Sequence, residues 1–210
     1  MKLICFDCDS TLSSIEGIDE LARRRGPEAF ARVMAMTGDA MNGRIPLESV
    51  FGGRLEIARP GRRDAAAVGA SYIENVEPTA VETIGGLAAR GWTPAIISSG
   101  FRQAVRPLAD FLGVAMVETV DLFFSDDGGY LGYDDASPLT RAGGKREVIE
   151  KLRKALRPER VVMVGDGVSD LETRPSVDLF VGFGGYTVRE RVRREAAAFV
   201  TTLSAVTPLL

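Results

Sequence analysis

Along the chain, hydrophobic positions fall into short unbroken runs separated by longer stretches with helical spacing. The runs Leu3–Phe6, Pro94–Ile97, Val161–Val164 and Leu179–Val181 are each bounded by turn residues, the pattern of parallel strands covered on both faces. Val120–Phe124 is a weaker candidate for the third strand. Helical stretches lie between them: Thr79–Arg90 ending at Gly91, Arg102–Leu112 ending at Gly113, and Lys145–Leu156 before Pro158. Glycine just past a helix is the usual stop, because it enters the left-handed region freely. Strand alternating with helix predicts an α/β fold with a doubly wound parallel sheet. The turn Asp126-Asp127-Gly128-Gly129 followed by Tyr130–Tyr133 predicts a small hairpin after the third strand.

The gap between the first strand, ending near Phe6, and the second, starting near Pro94, is too long for one crossover, which needs roughly 12 residues. Residues 14–75 therefore read as an insert, leaving 1–13 and 76–210 as the core. The insert is mainly helical. Ile15, Ile18, Leu21 and Ala22 share one face, Pro46 suits the first turn of a second helix, and Asp64 caps an alanine-rich third. An insert at that point hangs over the carboxyl ends of the strands, where doubly wound folds bind ligands.

Composition narrows the chemistry. The chain has no histidine, which removes Ser-His-Asp and Cys-His nucleophiles, imidazole bases and His-liganded metals. Two cysteines, Cys5 and Cys8, make no disulfide framework and suit a reducing, cytoplasmic compartment. Twenty-six basic and twenty-nine acidic residues give a net charge of −3 with no basic stripe, so nucleic acid is not an expected partner. The uncharged end Ala196–Leu210 is shorter than the roughly 20 residues of a spanning helix and reads as a final strand and short helix, so no membrane partner is expected.

Carboxylates then collect at the strand ends. The first strand runs into Asp7-Cys8-Asp9-Ser10-Thr11, and the fourth into Gly165-Asp166-Gly167-Val168-Ser169-Asp170. In a sheet whose order reverses beside strand one, these strands are neighbours, so Asp166 and Asp170 face Asp7 and Asp9 across the crevice. Four carboxylates in one cleft repel unless a hard cation joins them, and oxygen ligands point to Mg²⁺, which commonly binds with a substrate phosphate. The second strand leads into Ser98-Ser99-Gly100 before a helix, a possible anion site, and Lys145 opens another helix after Gly143-Gly144. Taken singly, each of these also reads as an ordinary turn, cap or solvated lysine.

Together, Asp-Cys-Asp-Ser-Thr, Ser-Ser-Gly-Phe, Lys145 and Gly-Asp-Gly-Val-Ser-Asp resemble the haloacid dehalogenase superfamily of phosphotransferases. Within it the chain is similar to the phosphoserine phosphatase family, through Glu16-Gly17-Ile18-Asp19-Glu20-Leu21, Gly143-Gly144-Lys145 and Val181-Gly182-Phe183-Gly184-Gly185. The resemblance implies a Rossmann-like core with a small helical cap, Mg²⁺ as cofactor, and hydrolysis of O-phosphoserine. It implies Asp7 as nucleophile and Asp9 as acid and base, the latter helped by like charges that raise its pKa. Dehalogenases of the superfamily lack that second aspartate, so Asp9 argues for phosphate chemistry. It further implies a metal held by Asp7, the Asp9 carbonyl and Asp166, with Asp170 positioning ligands or waters nearby. The phosphoryl oxygens would be held by Ser98, Ser99, Gly100 and Lys145. Glu16 matches the family's ammonium-binding glutamate and Arg54 its carboxylate-binding arginine, while Met41, Ser169 and Arg189 fall at other substrate-pocket positions. The chain departs from most relatives at Ser99, where they have glycine, which predicts crowding in the phosphate loop. Ser169 replaces asparagine or threonine and keeps a hydrogen-bonding group.

Two rival readings have their own residues. Cys5-Phe6-Asp7-Cys8 is formally C-x-x-C, yet redox pairs sit at helix N-termini and Cys5 lies inside a strand. A phosphatase or phosphotransferase for another small phosphomonoester would keep Asp7 and Asp9 without needing Glu16 and Arg54. A non-catalytic binding module has no use for the whole set Asp7, Asp9, Lys145 and Asp166. The oligomeric expectation is a monomer or homodimer.

Overall fold

The computed structural model describes residues 1–210. In chain order the elements are β1 (Lys2–Phe6), α1 (Gly17–Arg23), α2 (Pro27–Met41), α3 (Phe51–Ala58), α4 (Arg62–Glu74), α5 (Ala80–Ala89), β2 (Trp92–Phe101), α6 (Arg102–Phe111), β3 (Met116–Val120), β4 (Leu122–Phe124), β5 (Tyr130–Tyr133), α7 (Gly144–Leu156), β6 (Arg160–Gly165), α8 (Val168–Leu171), β7 (Leu179–Phe183), α9 (Glu190–Glu195) and β8 (Ala198–Val200). Six strands form one parallel sheet in the order β3-β2-β1-β6-β7-β8. The order reverses beside β1, which opens a crevice at the carboxyl ends of β1 and β6.

The sequence dictates this centre. Leu3–Phe6 and Val161–Val164 are buried on both faces, and each full burial of such a side chain contributes about 1.5–3 kcal/mol. Phe6 pairs with Val164 and with Ile96, so the residues that follow (Asp7, Gly165-Asp166, and Ser98 one step further) leave the sheet side by side. The backbone of Asp7 still donates to Val164 O at 2.9 Å.

Three expectations change. The third strand is Met116–Val120, and Val120–Phe124 straddles a break: Asp121 ends the sheet strand, and Leu122–Phe124 pairs antiparallel with Tyr130–Tyr133 as the expected hairpin. The insert holds four helices, because Pro27 opens a fifteen-residue helix, α2, that its mostly exposed surface conceals. Pro46 instead precedes a short 3₁₀ turn, Leu47–Ser49, that leads into α3. Asp64 does cap α4, from three residues inside it: its Oδ2 accepts the Gly61 N–H at 3.0 Å.

Where the chain leaves and re-enters the sheet layer, Ser13 and Val76 pair in an antiparallel bridge, and the Ser14 N–H donates to Asn75 O at 3.0 Å. The hairpin packs on the insert, with the Phe51 and Tyr133 rings 5.2 Å apart. Gly52 permits this approach, since a Cβ there would lie 2.9 Å from the Tyr133 hydroxyl. At the carboxyl end, β8 and a 3₁₀ helix, Leu203–Leu209, bury Leu203 and Val206. No helix is long and apolar enough to cross a membrane.

Candidate active site

The loop after β1 turns sharply. Asp7 and Asp9 are extended, but Ser10 adopts φ 51° in the left-handed region, a conformation that costs a non-glycine residue about 1–2 kcal/mol. Its N–H donates to Ile15 O at 3.2 Å and its hydroxyl to Glu16 Oε1 at 2.8 Å, which offset that strain. The turn aims the Asp7 carboxylate at the β6 loop and the Asp9 carboxylate at the insert.

On the first side, one oxygen each from Asp7, Asp166 and Asp170 lies within 4.8 Å of the others, and all three side chains are buried. Gly165 makes room, since a Cβ there would overlap the Asp170 carboxylate. Lys145 Nζ stands 2.7 Å from Asp7 Oδ1 and 2.6 Å from Asp170 Oδ1. Burial works against the ammonium, but Asp170 and Asp7 outweigh it and hold Lys145 firmly charged. Asp166 accepts from Thr11 Oγ1 at 3.3 Å and from Arg189 Nε at 3.0 Å. Burial, with the Asp7 charge, pushes Asp166 up to about 7 and Asp170 up to about 8 against the opposing pull of Arg189 and Lys145 respectively. Three buried carboxylates that each offer a hard oxygen to one point are the donor set that suits a divalent cation of the magnesium type.

On the second side, Asp9 Oδ1 accepts from the Gly17 N–H and the Tyr72 hydroxyl, each at 2.6 Å, while Oδ2 faces Ser98 Oγ at 3.3 Å. Burial and the neighbouring Asp7 charge raise the Asp9 pKa. Ser98 Oγ also accepts the Gly100 N–H at 2.9 Å. A Cβ on Gly100 would sit 3.1 Å from both Asp9 Oδ2 and Ser98 Oγ. The motif lies on the irregular end of β2, which runs on past the expected Ile97 to Phe101, and α6 starts at Arg102 as the spacing predicts. The Ser99 hydroxyl donates to Leu139 O at 2.8 Å, tying the loop to the turn that precedes α7.

Above these groups lies a narrow pocket between the sheet and the insert. Asp7, Asp9, Lys145, Asp166, Ser98, Ser99, Gly100 and Ser169 line its floor, and Glu16, Met41 and Arg54 line it from the insert, with Ile18 and Phe51. Arg54 is buried, donates from Nη1 to Thr37 Oγ1 at 3.0 Å, and leaves its Nε without any protein partner. Thr37 in turn donates to Asp19 Oδ1 at 2.6 Å. Burial lowers the Arg54 pKa against the pull of Glu16 and Asp19, and it pushes Asp19 up to about 6. Burial and the carboxylates of Asp9 and Asp166 raise Glu16 well above the usual range. Arg189 does not line the cavity. It lies behind the floor, with Nε on Asp166 and Nη2 3.7 Å from Glu16 Oε1. Asp170 likewise sits behind Lys145.

Tyr72, Thr37, Thr11 and Asp19 enter this site without having been singled out as candidates. Tyr72 reaches Asp9 because α4 packs on the sheet layer, Thr37 and Asp19 reach Arg54 where α1, α2 and α3 pack together, and Thr11 reaches Asp166 because the β1 and β6 loops are neighbours. The cysteines are free and buried, and burial pushes the Cys5 thiol up to about 12 and Cys8 well above its usual value. Neither forms the thiolate that redox chemistry needs.

The haloacid dehalogenase-like hydrolase model matches residues 1–174. A Bos taurus phosphoserine phosphatase is 36% identical over 200 residues, covering 94% of this chain and 88% of that protein. A phosphoserine phosphatase from Methanocaldococcus jannaschii is 34% identical over 188 residues, covering 87% and 85%. A phosphoserine phosphatase solved with substrate bound superposes with a TM-score of 0.77 at 26% identity, covering 99% of this chain and 96% of that one. A phosphoserine phosphohydrolase-like protein from Francisella tularensis shares the fold, with a TM-score of 0.91 at 23% identity over the full length of both chains. The carboxylate-lined crevice, the lysine between its aspartates and these likenesses converge: the chain belongs to the haloacid dehalogenase-like hydrolase family.

Proposed function

We propose that this chain is a Mg²⁺-dependent phosphomonoesterase that hydrolyses O-phosphoserine to serine and phosphate through an aspartyl-phosphate on Asp7. The observation that carries the substrate reading is Arg54: a buried guanidinium on the cavity wall whose Nε has no protein partner. A buried orphan donor is unfavourable unless a ligand meets it. A substrate carboxylate supplies the acceptor, and Glu16, on the same wall, supplies the counter-charge for an ammonium. The phosphoserine phosphatase relatives support that assignment.

In the first step a carboxylate oxygen of Asp7 attacks phosphorus, and the bond from phosphorus to the serine oxygen breaks with its electrons going to that oxygen. Asp9 donates the proton that makes serine a neutral leaving group. In the second step Asp9 takes a proton from water, the water oxygen attacks phosphorus, and Asp7 is released with phosphate. Lys145, Ser98 and the main-chain N–H groups of Ser99 and Gly100 hold the phosphoryl oxygens as charge builds on them. Asp7, Asp166 and the Asp9 carbonyl, with Asp170 nearby, would hold Mg²⁺, which would neutralise phosphoryl charge when bound. Ser169 and Met41 complete the pocket, and Arg189 fixes Asp166 and Glu16 from behind.

Residues 14–75 act as the cap that closes over the substrate, carried on the paired connections at Ser13 and Val76. The two buried, unpaired thiols suit a cytoplasmic setting. The test is phosphate release across a panel of phosphomonoesters, with and without Mg²⁺ and with Asp7→Asn as control. Phosphoserine is expected to be the preferred substrate. Equal rates for phosphoserine and a generic aryl phosphate would overturn the substrate while leaving the chemistry intact.

A further inference from the structure

Tyr72 lies on α4, inside the insert, with its side chain wholly buried. A buried phenol needs an acceptor for its O–H, and a core tyrosine usually finds a main-chain carbonyl or water. Here the acceptor is Oδ1 of Asp9, at 2.6 Å. The Gly17 N–H donates to the same oxygen, also at 2.6 Å. The two donors are linked sterically, since any Cβ on Gly17 would overlap the Tyr72 hydroxyl. Both come from the insert, whereas Asp9 belongs to the loop that ends β1. With two donors on Oδ1, the other oxygen is left facing the phosphate loop: Oδ2 is 3.3 Å from Ser98 Oγ and close to Gly100.

We infer that Tyr72 is a positioning residue for Asp9: its hydroxyl, with the Gly17 amide, anchors Oδ1 so that Oδ2 is the oxygen presented to the leaving group and, later, to water. The inference rests on the proposed roles of Asp7 and Asp9. As the bond from phosphorus to the ester oxygen breaks, its electron pair goes to that oxygen and the proton passes to it from Asp9 Oδ2, leaving Asp9 as the carboxylate. Without the phenol hydroxyl, Asp9 can rotate about its side-chain torsions and offer the wrong oxygen. An error of orientation at the acid is felt when the leaving group needs a proton to depart, and not when it leaves as a stabilised anion.

The experiment measures kcat/KM, which reports the steps up to the first irreversible release, for wild type and Tyr72→Phe on three substrates with Mg²⁺. These are phosphoserine, propyl phosphate and 4-nitrophenyl phosphate. The two alkyl esters expel an alkoxide that must be protonated, and the nitrophenyl ester expels a stable phenolate. Tyr72→Phe is expected to lower kcat/KM for both alkyl esters by about 10- to 100-fold and for the aryl ester by less than about threefold. An equal loss on all three substrates assigns Tyr72 to packing alone and overturns the inference, as does no loss on any. In an Asp9→Ala background the Tyr72→Phe change is expected to have no further effect on the alkyl esters. A persisting effect there would also overturn it. Should the buried change impair folding, Gly17→Ala displaces the same hydroxyl with the phenol retained, and the contrast between propyl and nitrophenyl phosphate decides in the same way. The phosphoserine reading is separable: it fails if wild type shows no preference for phosphoserine over propyl phosphate, whatever Tyr72→Phe does.

Discussion

The Lys145 ammonium stands 2.7 Å from Asp7 Oδ1, and both side chains are buried. A lysine placed there fixes the direction of the Asp7 carboxylate and, in the proposed mechanism, offers positive charge to the phosphoryl group that Asp7 attacks. The same ammonium bonds Asp170, so a single cation organises two carboxylates of the floor.

Lys145→Met is therefore expected to lower kcat for phosphoserine at least about 100-fold, the scale of losing one aimed transition-state donor. Breaking a buried ion pair on one side also destabilises by about 3–5 kcal/mol. Steady-state kinetics and urea unfolding of the variant check both. A variant with near-wild-type kcat would remove Lys145 from the chemistry.

The absence of histidine gives an unusually clear pH window. Asp166 and Asp170 have folded-state values of about 7 and about 8, raised first by burial. The folded chain thus binds protons more tightly than the unfolded chain, so stability falls as pH rises through those values. Metal-free protein is expected to lose stability between about pH 6 and 8.5, where ordinary carboxylates, already ionised, contribute no slope. Added Mg²⁺, binding the ionised carboxylates, is expected to raise Tm most at the alkaline end. Thermal unfolding with chelator and with Mg²⁺ makes the comparison, and a flat metal-free curve would contradict the assignment.

Arg54 reaches Asp19 through the Thr37 hydroxyl. Arg54→Ala is expected to cut kcat/KM for phosphoserine by about 100-fold, the loss of a charged pair with the substrate carboxylate, and to spare 4-nitrophenyl phosphate. Thr37→Val, which keeps the volume but removes the hydroxyl, is expected to give a smaller loss of the same selectivity. Parallel kinetics on the two substrates test this. A uniform loss would make the relay purely structural.

The Ser99 side chain lies at the phosphate loop, and its hydroxyl donates to Leu139 O. Ser99→Gly is expected to lower stability by about 1 kcal/mol, one hydrogen bond's net worth, and to change kcat/KM by less than about threefold. A change of tenfold or more would mean that the side chain meets the substrate.

The central strands are legible in the sequence because a strand buried on both faces is a continuous apolar run, as at Leu3–Phe6 and Val161–Val164. The strand β3 is obscured because Glu118 and Thr119 interrupt its run, and α2 because only Val33, Thr37 and Ala40 of its fifteen residues are buried. The loop carboxylates are visible for a related reason: each follows directly on a readable strand, and parallel neighbours bring them together at Asp7, Asp166 and Asp170. Tyr72 and Thr37 carry no such mark. The contact of Tyr72 exists only once α4 packs over the sheet, and those of Thr37 only once α1, α2 and α3 pack together, which the local pattern does not encode.

In the proposed mechanism the phosphoryl group passes through Asp7. Rapid acid quench of the enzyme turning over phosphoserine with Mg²⁺, followed by peptide mapping, tests it most directly. A hydroxylamine-sensitive phosphoryl group on Asp7, absent from Asp7→Asn, is the expected result; turnover without any such adduct, or a phosphoryl group on another side chain, would rule out Asp7 as the nucleophile.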